Sequence, residues 1–376
     1  MKRFLVITTI LALSLSFSLP ALAATLEVNG ADPTTPVSTG FTRDTGGGAA
    51  PIVKAKWEMN VNKEATTPYG YLGTDDSISA GAQFLPSGKY QVSKRIAVCA
   101  VVTDPDGVAD ITNGGAVYAD TYYPLDIALG ANHPVSVGCG QLTSEVSLTQ
   151  LSKTDGYELF CNKVRNNNTN LPAFNQSLPY TYDEICAADG ELMKETAYVF
   201  CGEKDLSYED PAGTYKTLVL AQDKAGVDGT LVNNFEYLPL TAFETDFNSV
   251  SYGNVKLNTH KIVNGDLSFG TASLPTVRNI GNTRIAMKVW QNDMGLGKTN
   301  GLWNVKWDGR VGSGAAFTAY DPEIWTTLAN ELNLSETNEM DFSIDVFKFP
   351  PDHTSASYTG DMVLSATAVA QLLCQE

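Results

Sequence analysis

Alternating hydrophobic and polar positions in the second half of the chain indicate strands with one buried face. Every second residue is apolar from Trp303 to Asp308, and again from Met340 to Val346. Side chains of a strand point to opposite faces in turn, so this pattern is typical of strands that lie with one face on a core. It predicts a second β-sandwich domain over residues 236–376.

One short helix is predicted within this second sandwich. Asp321 suits the N-cap position, and Pro322 and Glu323 suit the first turn of a helix that follows it. Apolar residues then recur at every fourth position from Ile324 to Leu332. We expect this helix to pack its apolar face against the sandwich.

The first half of the chain contains apolar, β-branched runs at 96–102, 117–123 and 215–221. Each run is bounded by turn residues, such as the Asp-Pro-Asp-Gly sequence at 104–107. These features predict a first β-sandwich domain over residues 51–235. The predicted fold class is therefore all-β.

Two sequence segments in this first domain resemble a known family. AVVTDPDGVADI…VYADTYY and DPAGTYKTLVLAQDKAG resemble the early and late strands of immunoglobulin-like repeats in prokaryotic surface proteins. The resemblance implies an immunoglobulin-like sandwich. Residues 139–201 depart from the pattern, because they are polar and rich in cysteine, and we interpret them as an insertion stapled by disulfides.

The second domain carries another resemblance. LPTVRNIGNTRIAMKVW and EMDFSIDVFKFP…YTGDMVLSA are similar to the β-sandwich subunits of camelysin-type biofilm fibre proteins and of archaeal surface and sheath proteins. This likeness implies a structural role at the cell surface. It includes no catalytic motif, so no functional residue is carried over from it.

The N-terminus has the three parts of a secretory signal peptide. A basic start at Met1-Lys2-Arg3 precedes an apolar run, and the small-residue site Ala21-Leu22-Ala23 follows. We therefore predict a signal peptide over 1–23, a flexible arm over 24–50, and a secreted protein, extracellular or on the cell surface. We expect no membrane span, since no later apolar stretch is long enough.

Composition narrows the choice of partners. The chain has 25 basic and 42 acidic residues, a formal net charge of -17. Nucleic acids are bound mainly through Lys and Arg, so this balance argues against a nucleic-acid partner. The hydrophobic fraction of 43% is enough for packed cores.

Six cysteines follow the signal peptide, and an even number in a secreted chain predicts disulfides whose pairing the sequence leaves open. The chain has no Cys-x-x-Cys pair and three histidines, which disfavours a zinc site. The cysteines are Cys99, Cys139, Cys161, Cys186, Cys201 and Cys374.

Asp104, Asp106 and Asp110 surround the turn glycine Gly107 and form the candidate metal site. Carboxylates that alternate across a tight turn can converge on Ca²⁺, which prefers oxygen ligands. The alternative is an Asx turn that ends a strand without any metal. Structural calcium is the one cofactor that the sequence suggests.

Three Asn-x-Ser/Thr sequons, at Asn167, Asn175 and Asn333, are candidate glycosylation sites. Two of them fall in the insertion. Five tyrosines are candidates for a sugar-binding or protein-binding face, and the alternative is ordinary packing of strands. They are Tyr118, Tyr122, Tyr123, Tyr180 and Tyr182.

The function predicted from these patterns is structural and non-enzymatic. We expect a subunit of a surface layer, sheath or fibre that self-associates with other copies or binds other surface proteins, with strand addition between copies. One alternative is a secreted adhesin or carbohydrate-binding protein that binds glycans. A second alternative is a secreted hydrolase that uses scattered carboxylates, and no catalytic residue is singled out for it.

Overall fold

Strands dominate the parts of the chain that the structure, a computed structural model, describes. These parts are residues 48–61, 82–122, 145–167, 172–177, 180–271, 273–351 and 357–370. The predicted signal peptide, most of the predicted arm, Cys139 and Cys374 lie outside them. The all-β expectation is confirmed.

Two five-stranded sheets form the first sandwich. Their orders are β6-β8-β3-β1-β7 and β2-β10-β9-β4-β5, and the pairing is antiparallel except between β10 and β2. The strands are β1 (Ile52–Asn60), β2 (Ala82–Phe84), β3 (Lys94–Thr103), β4 (Ala116–Tyr122), β5 (Val146–Ser147), β6 (Thr149–Gln150), β7 (Ala173–Phe174), β8 (Ala197–Leu206), β9 (Gly213–Gln222) and β10 (Asp228–Tyr237).

Apolar side chains pack in the space between these two sheets. Val98 and Ala100 of β3 share a buried cluster with Val117 of β4 and Val219 of β9. The alternate residues of β3, such as Cys99, point to the other face of the first sheet. This face is also buried, so the central strands are apolar on both sides.

Short helices of the insertion cover that outer face. Leu159, Phe160 and Ile185 pack in one cluster with Trp57 of β1, and the rings of Trp57 and Phe160 lie 5.1 Å apart. The first domain is thus a sandwich with a third, helical layer. Its helices are α1 (Ala109–Thr112, outside the layer), α2 (Lys153–Tyr157), a π-helix (Glu158–Val164), α3 (Arg165–Asn167), α4 (Tyr182–Cys186) and α5 (Glu191–Lys194).

Two disulfides hold this region. Cys161 of the π-helix is bonded to Cys186 at the end of α4, which confirms a stapled insertion. Cys99 is bonded to Cys201, its direct neighbour across the β3–β8 pair. Disulfides persist in oxidising compartments, so both bonds are typical of an extracellular protein.

The second sandwich consists of a larger sheet ordered β11-β13-β20-β17-β18, with β12 also on β20, and a three-stranded sheet ordered β19-β14-β21. Trp307, Phe342 and Leu332 are among its buried core residues. Its strands are β11 (Phe243–Thr245), β12 (Lys261–Val263), β13 (Thr276–Asn279), β14 (Ile285–Gln291), the hairpin β15 (Lys298–Thr299) and β16 (Leu302–Trp303), β17 (Val305–Val311), β18 (Thr318–Tyr320), β19 (Thr326–Leu332), β20 (Thr337–Val346) and β21 (Met362–Ala368).

The helix predicted after Asp321 is wrong. Thr326–Leu332 forms strand β19, paired with β14, and Ile324 lies in the turn before it with 52% of its surface exposed. Leu328 and Leu332 are both buried. A spacing of four keeps two residues on one face of a helix and also on one face of a strand, so this spacing does not distinguish the two.

Asn282 connects the two sandwiches. Its side chain accepts a hydrogen bond from Leu240 N at 2.7 Å and donates one to Leu238 O at 3.1 Å, and its carbonyl accepts from Ala212 N at 2.9 Å. Residues 46–376 form one compact unit. The division at 235/236 stays a prediction. Among the described residues, no helix has the length and apolarity that a membrane crossing requires.

Candidate functional site

The predicted calcium ligands lie at one end of the first sandwich. Asp104 follows β3 directly, Asp106 is in the turn, and Asp223, which follows β9, lies beside them. Gly48 also belongs to this group, because a side chain there would come within 2.7 Å of Asp223 Oδ2 and 3.1 Å of Asp106 Oδ2. The fold therefore brings together two turns that are far apart in sequence.

Asp104 is the most unusual member of this cluster. It is 5% exposed, Oδ1 accepts a hydrogen bond from Asp106 N at 2.7 Å, and Oδ2 is buried without a partner among the residues that the structure describes. Burial raises the pKa of Asp104, and the negative charges of Asp106, Asp110 and Asp223 raise it further. A cation would provide what Oδ2 lacks and would offset this repulsion.

The other aspartates of the cluster have protein partners. Asp106 Oδ2 accepts from Ala49 N at 2.6 Å, and Asp223 Oδ1 accepts from Ala225 N and Val227 N at 2.8 Å each. Asp110 forms an ion pair with Lys224 at 2.9 Å. Lys224 already balances the charge of Asp110, which makes Asp110 the weakest of the three predicted ligands.

A second cluster, which the sequence did not reveal, lies on the outer face of the second sandwich. Ligand atoms of His260, Asp308 and Asp345 lie within 4.8 Å of one another. Asp308 is on β17, and Asp345 is on the adjacent strand β20. An imidazole with two carboxylates offers the ligand types that divalent transition metals take.

Because Ser343 adjoins this cluster, its geometry can be compared with the catalytic triad that a secreted serine hydrolase would need. The Ser343 hydroxyl lies 2.7 Å from His260 Nε2 and donates to Asp308 Oδ2 at 3.2 Å. Asp308 Oδ2 also lies 3.2 Å from the same Nε2 atom. In a serine hydrolase triad the acid binds the ring nitrogen opposite the serine, so this arrangement lacks the geometry of a triad.

The three sequons lie in different environments. Asn167 ends α3. The Asn175 amide donates to Val53 O at 3.1 Å, so a glycan at Asn175 would have to replace a hydrogen bond that ties the insertion to β1. Asn333 is exposed, and its side-chain oxygen accepts from Arg284 at 2.9 Å.

The two tyrosines of the insertion take part in packing. The Tyr182 ring lies 5.1 Å from that of Phe160 and 5.2 Å from that of Phe174. Lys54 lies over the Tyr180 ring at 4.1 Å. These contacts hold the helical layer on the sheet, so they do not favour an open platform for sugars.

β21 lies at the edge of its sheet. All seven of its residues are in register with β14, from Ala368 opposite Ile285 to Met362 opposite Gln291. Among the described residues, β14 is the strand that β21 pairs with. The opposite side of β21 therefore presents backbone donors and acceptors that a further strand could use.

No protein-family model matches this chain, and no curated protein matches it. A search of solved structures found a C-terminal domain of the AgI/II polypeptide BspA from Streptococcus agalactiae, with 8% identity, 84% of this chain and 96% of that chain covered, and a TM-score of 0.21. The CupB6 tip adhesin from Pseudomonas aeruginosa has 7% identity, 85% and 96% coverage, and a TM-score of 0.22. At these scores the likeness carries no argument about fold or function.

Proposed function

We propose that this chain is a non-enzymatic extracellular protein that self-assembles at the cell surface, in a layer, sheath or fibre, by strand addition at β21. The observation that carries the proposal is the edge of β21. A strand that is fully paired on one side can extend its sheet with a strand from another molecule, through main-chain hydrogen bonds.

The contacts that flank β21 show which of its amides are available. Val369 N donates to Arg284 O, and Asp361 O accepts from Asn292 N, so the odd-numbered residues bond towards β14. Amide directions alternate along a strand, which turns the N–H groups of Leu364 and Ala366 away from β14. These groups are the donors that an added strand would use.

We propose that the added strand belongs to a second copy of this chain and that the arm predicted at 24–50 provides it. Main-chain pairing makes few demands on side chains, so an arm rich in Thr, Gly and Ala can serve. The two disulfides suit the same role, because they stabilise a subunit that works outside the cell.

Replacing Ala366 by proline tests this function. Proline removes one outward N–H group without breaking a bond to β14, and edge strands tolerate it there. We expect wild-type mature protein to form larger species as its concentration rises, by sedimentation velocity and electron microscopy. We expect Ala366→Pro to weaken this assembly at least tenfold, and Ala366→Ser, which keeps the amide, to assemble like the wild type.

A wild-type protein that stays monomeric at every concentration, with and without Ca²⁺, would contradict the proposal. Glycan-array binding by that monomer would then favour the adhesin alternative. Assembly by Ala366→Pro at the wild-type concentration would show that another surface is used.

We propose, in addition, that Asp104, Asp106 and Asp223 hold a structural Ca²⁺. The support is the buried Asp104 Oδ2, which has no partner among the described residues. The ion would join the turn after β3 to the turn after β9 and so fasten the two sheets at this end.

A further inference from the structure

Three polar side chains meet in the interior of the first sandwich. Lys56 and Glu58 alternate with Trp57 along β1, so they point away from the helical layer and into the space between the sheets. Both side chains are completely buried. Asn233, on β10 of the opposite sheet, reaches the same place.

These side chains form a closed ring of contacts. Lys56 Nζ donates to Asn233 Oδ1 and, at 2.5 Å, to Glu58 Oε1. Asn233 Nδ2 donates to Glu58 Oε2 at 2.8 Å. A completely buried amine and a completely buried carboxyl group are therefore held against a partly buried carboxamide.

This environment favours an uncharged amine. Burial lowers the pKa of Lys56, although the charge of Glu58 acts in the opposite direction. A neutral amine has a free electron pair and is a nucleophile. The Oδ1 atom that Nζ contacts is bonded to Cγ of Asn233, so the carbon that could be attacked lies one bond from the contact.

Glu58 touches both nitrogens that such a reaction would change. One carboxyl oxygen contacts the attacking amine, and the other contacts the amide nitrogen that would leave. A carboxyl group in this position can take a proton from one nitrogen and give a proton to the other. The rigid strands hold the reacting groups in contact, which lowers the entropic cost of the reaction.

We propose that Lys56 and Asn233 join spontaneously in an intramolecular isopeptide bond, with Glu58 as the catalytic residue. Nζ attacks Cγ, the Nζ–Cγ bond forms, and the Cγ–Nδ2 bond breaks. Glu58 carries a proton from Nζ to Nδ2, which leaves as ammonia. Atoms and charges balance, and no oxidant, metal or cofactor takes part.

Lys54 is a control that the chain itself provides. It lies on the same strand, its side chain is 4% exposed, and it forms an ion pair with Glu191. Its contacts are with a carboxylate and the Tyr180 ring rather than with a carboxamide. A carboxylate is a much poorer acceptor of a nucleophile than an amide, so we expect no bond at Lys54.

Mass spectrometry of the full mature chain tests the proposal. After reduction and denaturation, we expect an intact mass lower than the sequence mass by that of one ammonia molecule. A protease digest should contain a branched peptide that joins the β1 segment to the β10 segment through Lys56 and Asn233. A wild-type protein with the full mass and only linear peptides would overturn the proposal without any variant being needed.

Two variants then test the role of Glu58. Glu58→Gln keeps the shape of the side chain but cannot carry the proton, so we expect the branched peptide to fall at least tenfold. We expect Lys54→Gln to form the branched peptide in the same amount as the wild type. A fully linked Glu58→Gln protein would remove Glu58 from the reaction. This outcome is independent of whether the protein assembles, since the bond lies within one chain.

Discussion

At the scale of single residues, the effect of burial on ionisation is clear at Lys204 and Asp210. Both side chains are at least 95% buried at the end of the first sandwich. Burial raises the pKa of Asp210 to about 6 and lowers the pKa of Lys204 to about 8. Asp210 still accepts a hydrogen bond from Ser207 N at 2.7 Å, which favours its charged form.

A pH dependence of stability follows from Asp210. Its pKa is higher in the folded state than the ordinary value of 3.8, so the folded state binds the proton more tightly. Its contribution to the free energy of unfolding is therefore greatest at low pH and decreases by about 2 kcal/mol as the pH rises through about 4 to about 6.

Urea unfolding of the wild type and Asp210→Asn at pH 4 and pH 7 checks this expectation. Asparagine keeps the acceptor for Ser207 N but does not ionise, so the variant should gain stability relative to the wild type as the pH rises. Glu209 is the exposed neighbour of Asp210, so Glu209→Gln should show no such gain in stability relative to the wild type. An equal difference between wild type and Asp210→Asn at both pH values would contradict the assignment.

The proposed calcium site makes a second prediction at this scale. Ca²⁺ binds only the folded protein, so at 100 times its dissociation constant it should stabilise the wild type by about 2.7 kcal/mol. We expect Asp104→Asn to lose most of this effect, as read from the thermal midpoint with and without Ca²⁺. Asp228→Asn is the control, because Asp228 is exposed and accepts from Gln222. Equal stabilisation of Asp104→Asn would exclude the site.

A candidate site could be predicted from the sequence where its residues are close in sequence. A site whose residues are brought together by the pairing and packing of the sheets could not be predicted. The Asp-Pro-Asp-Gly turn identified Asp104 and Asp106, because both lie within one turn. Lys56 and Asn233 are 177 positions apart, and only the facing of β1 and β10 brings them into contact.

At the scale of elements, the strands were predictable where alternation was complete, as in β17 and β20. Strand β19 was not predictable, because a spacing of four between apolar residues fits a helix as well as a strand. The apparent N-cap at Asp321 lies in a turn. Asn330 within β19 has a positive φ of 77°, and the pairing with β14 shifts between Ala286 and Lys288. Such an irregularity interrupts the period of two that identifies a strand.

The disulfide between Cys161 and Cys186 allows a test of the helical layer. It closes a loop with a sequence separation of 25, and a loop of this size contributes about 3 kcal/mol in the chain-entropy model. We expect the double variant Cys161→Ser, Cys186→Ser to be cleaved at least tenfold faster between residues 153 and 194 in limited proteolysis.

The other disulfide is the matched control. Cys99 and Cys201 lie on strands that ten register pairs also hold together, so Cys99→Ser with Cys201→Ser should leave the helical layer resistant to protease. Equal cleavage of both double variants would mean that the layer is not held by its own disulfide.

At the scale of the whole molecule, the sequence predicted the sandwich class because strands with one buried face need a second layer. It did not predict the helical layer. The insertion contains helices of three to seven residues, too short for a clear helical period, and they are stable only because they cover Trp57 and its neighbours.

The position of β1 and β10 has a mechanical consequence. They are the first and last long strands of the first sandwich, and Lys56 and Asn233 lie near the middle of these strands. In a filament under tension, a bond between these residues would carry the load directly from the first long strand of the sandwich to the last. The strands between them would then bear none of the pull, and the first sandwich would transmit force without unfolding.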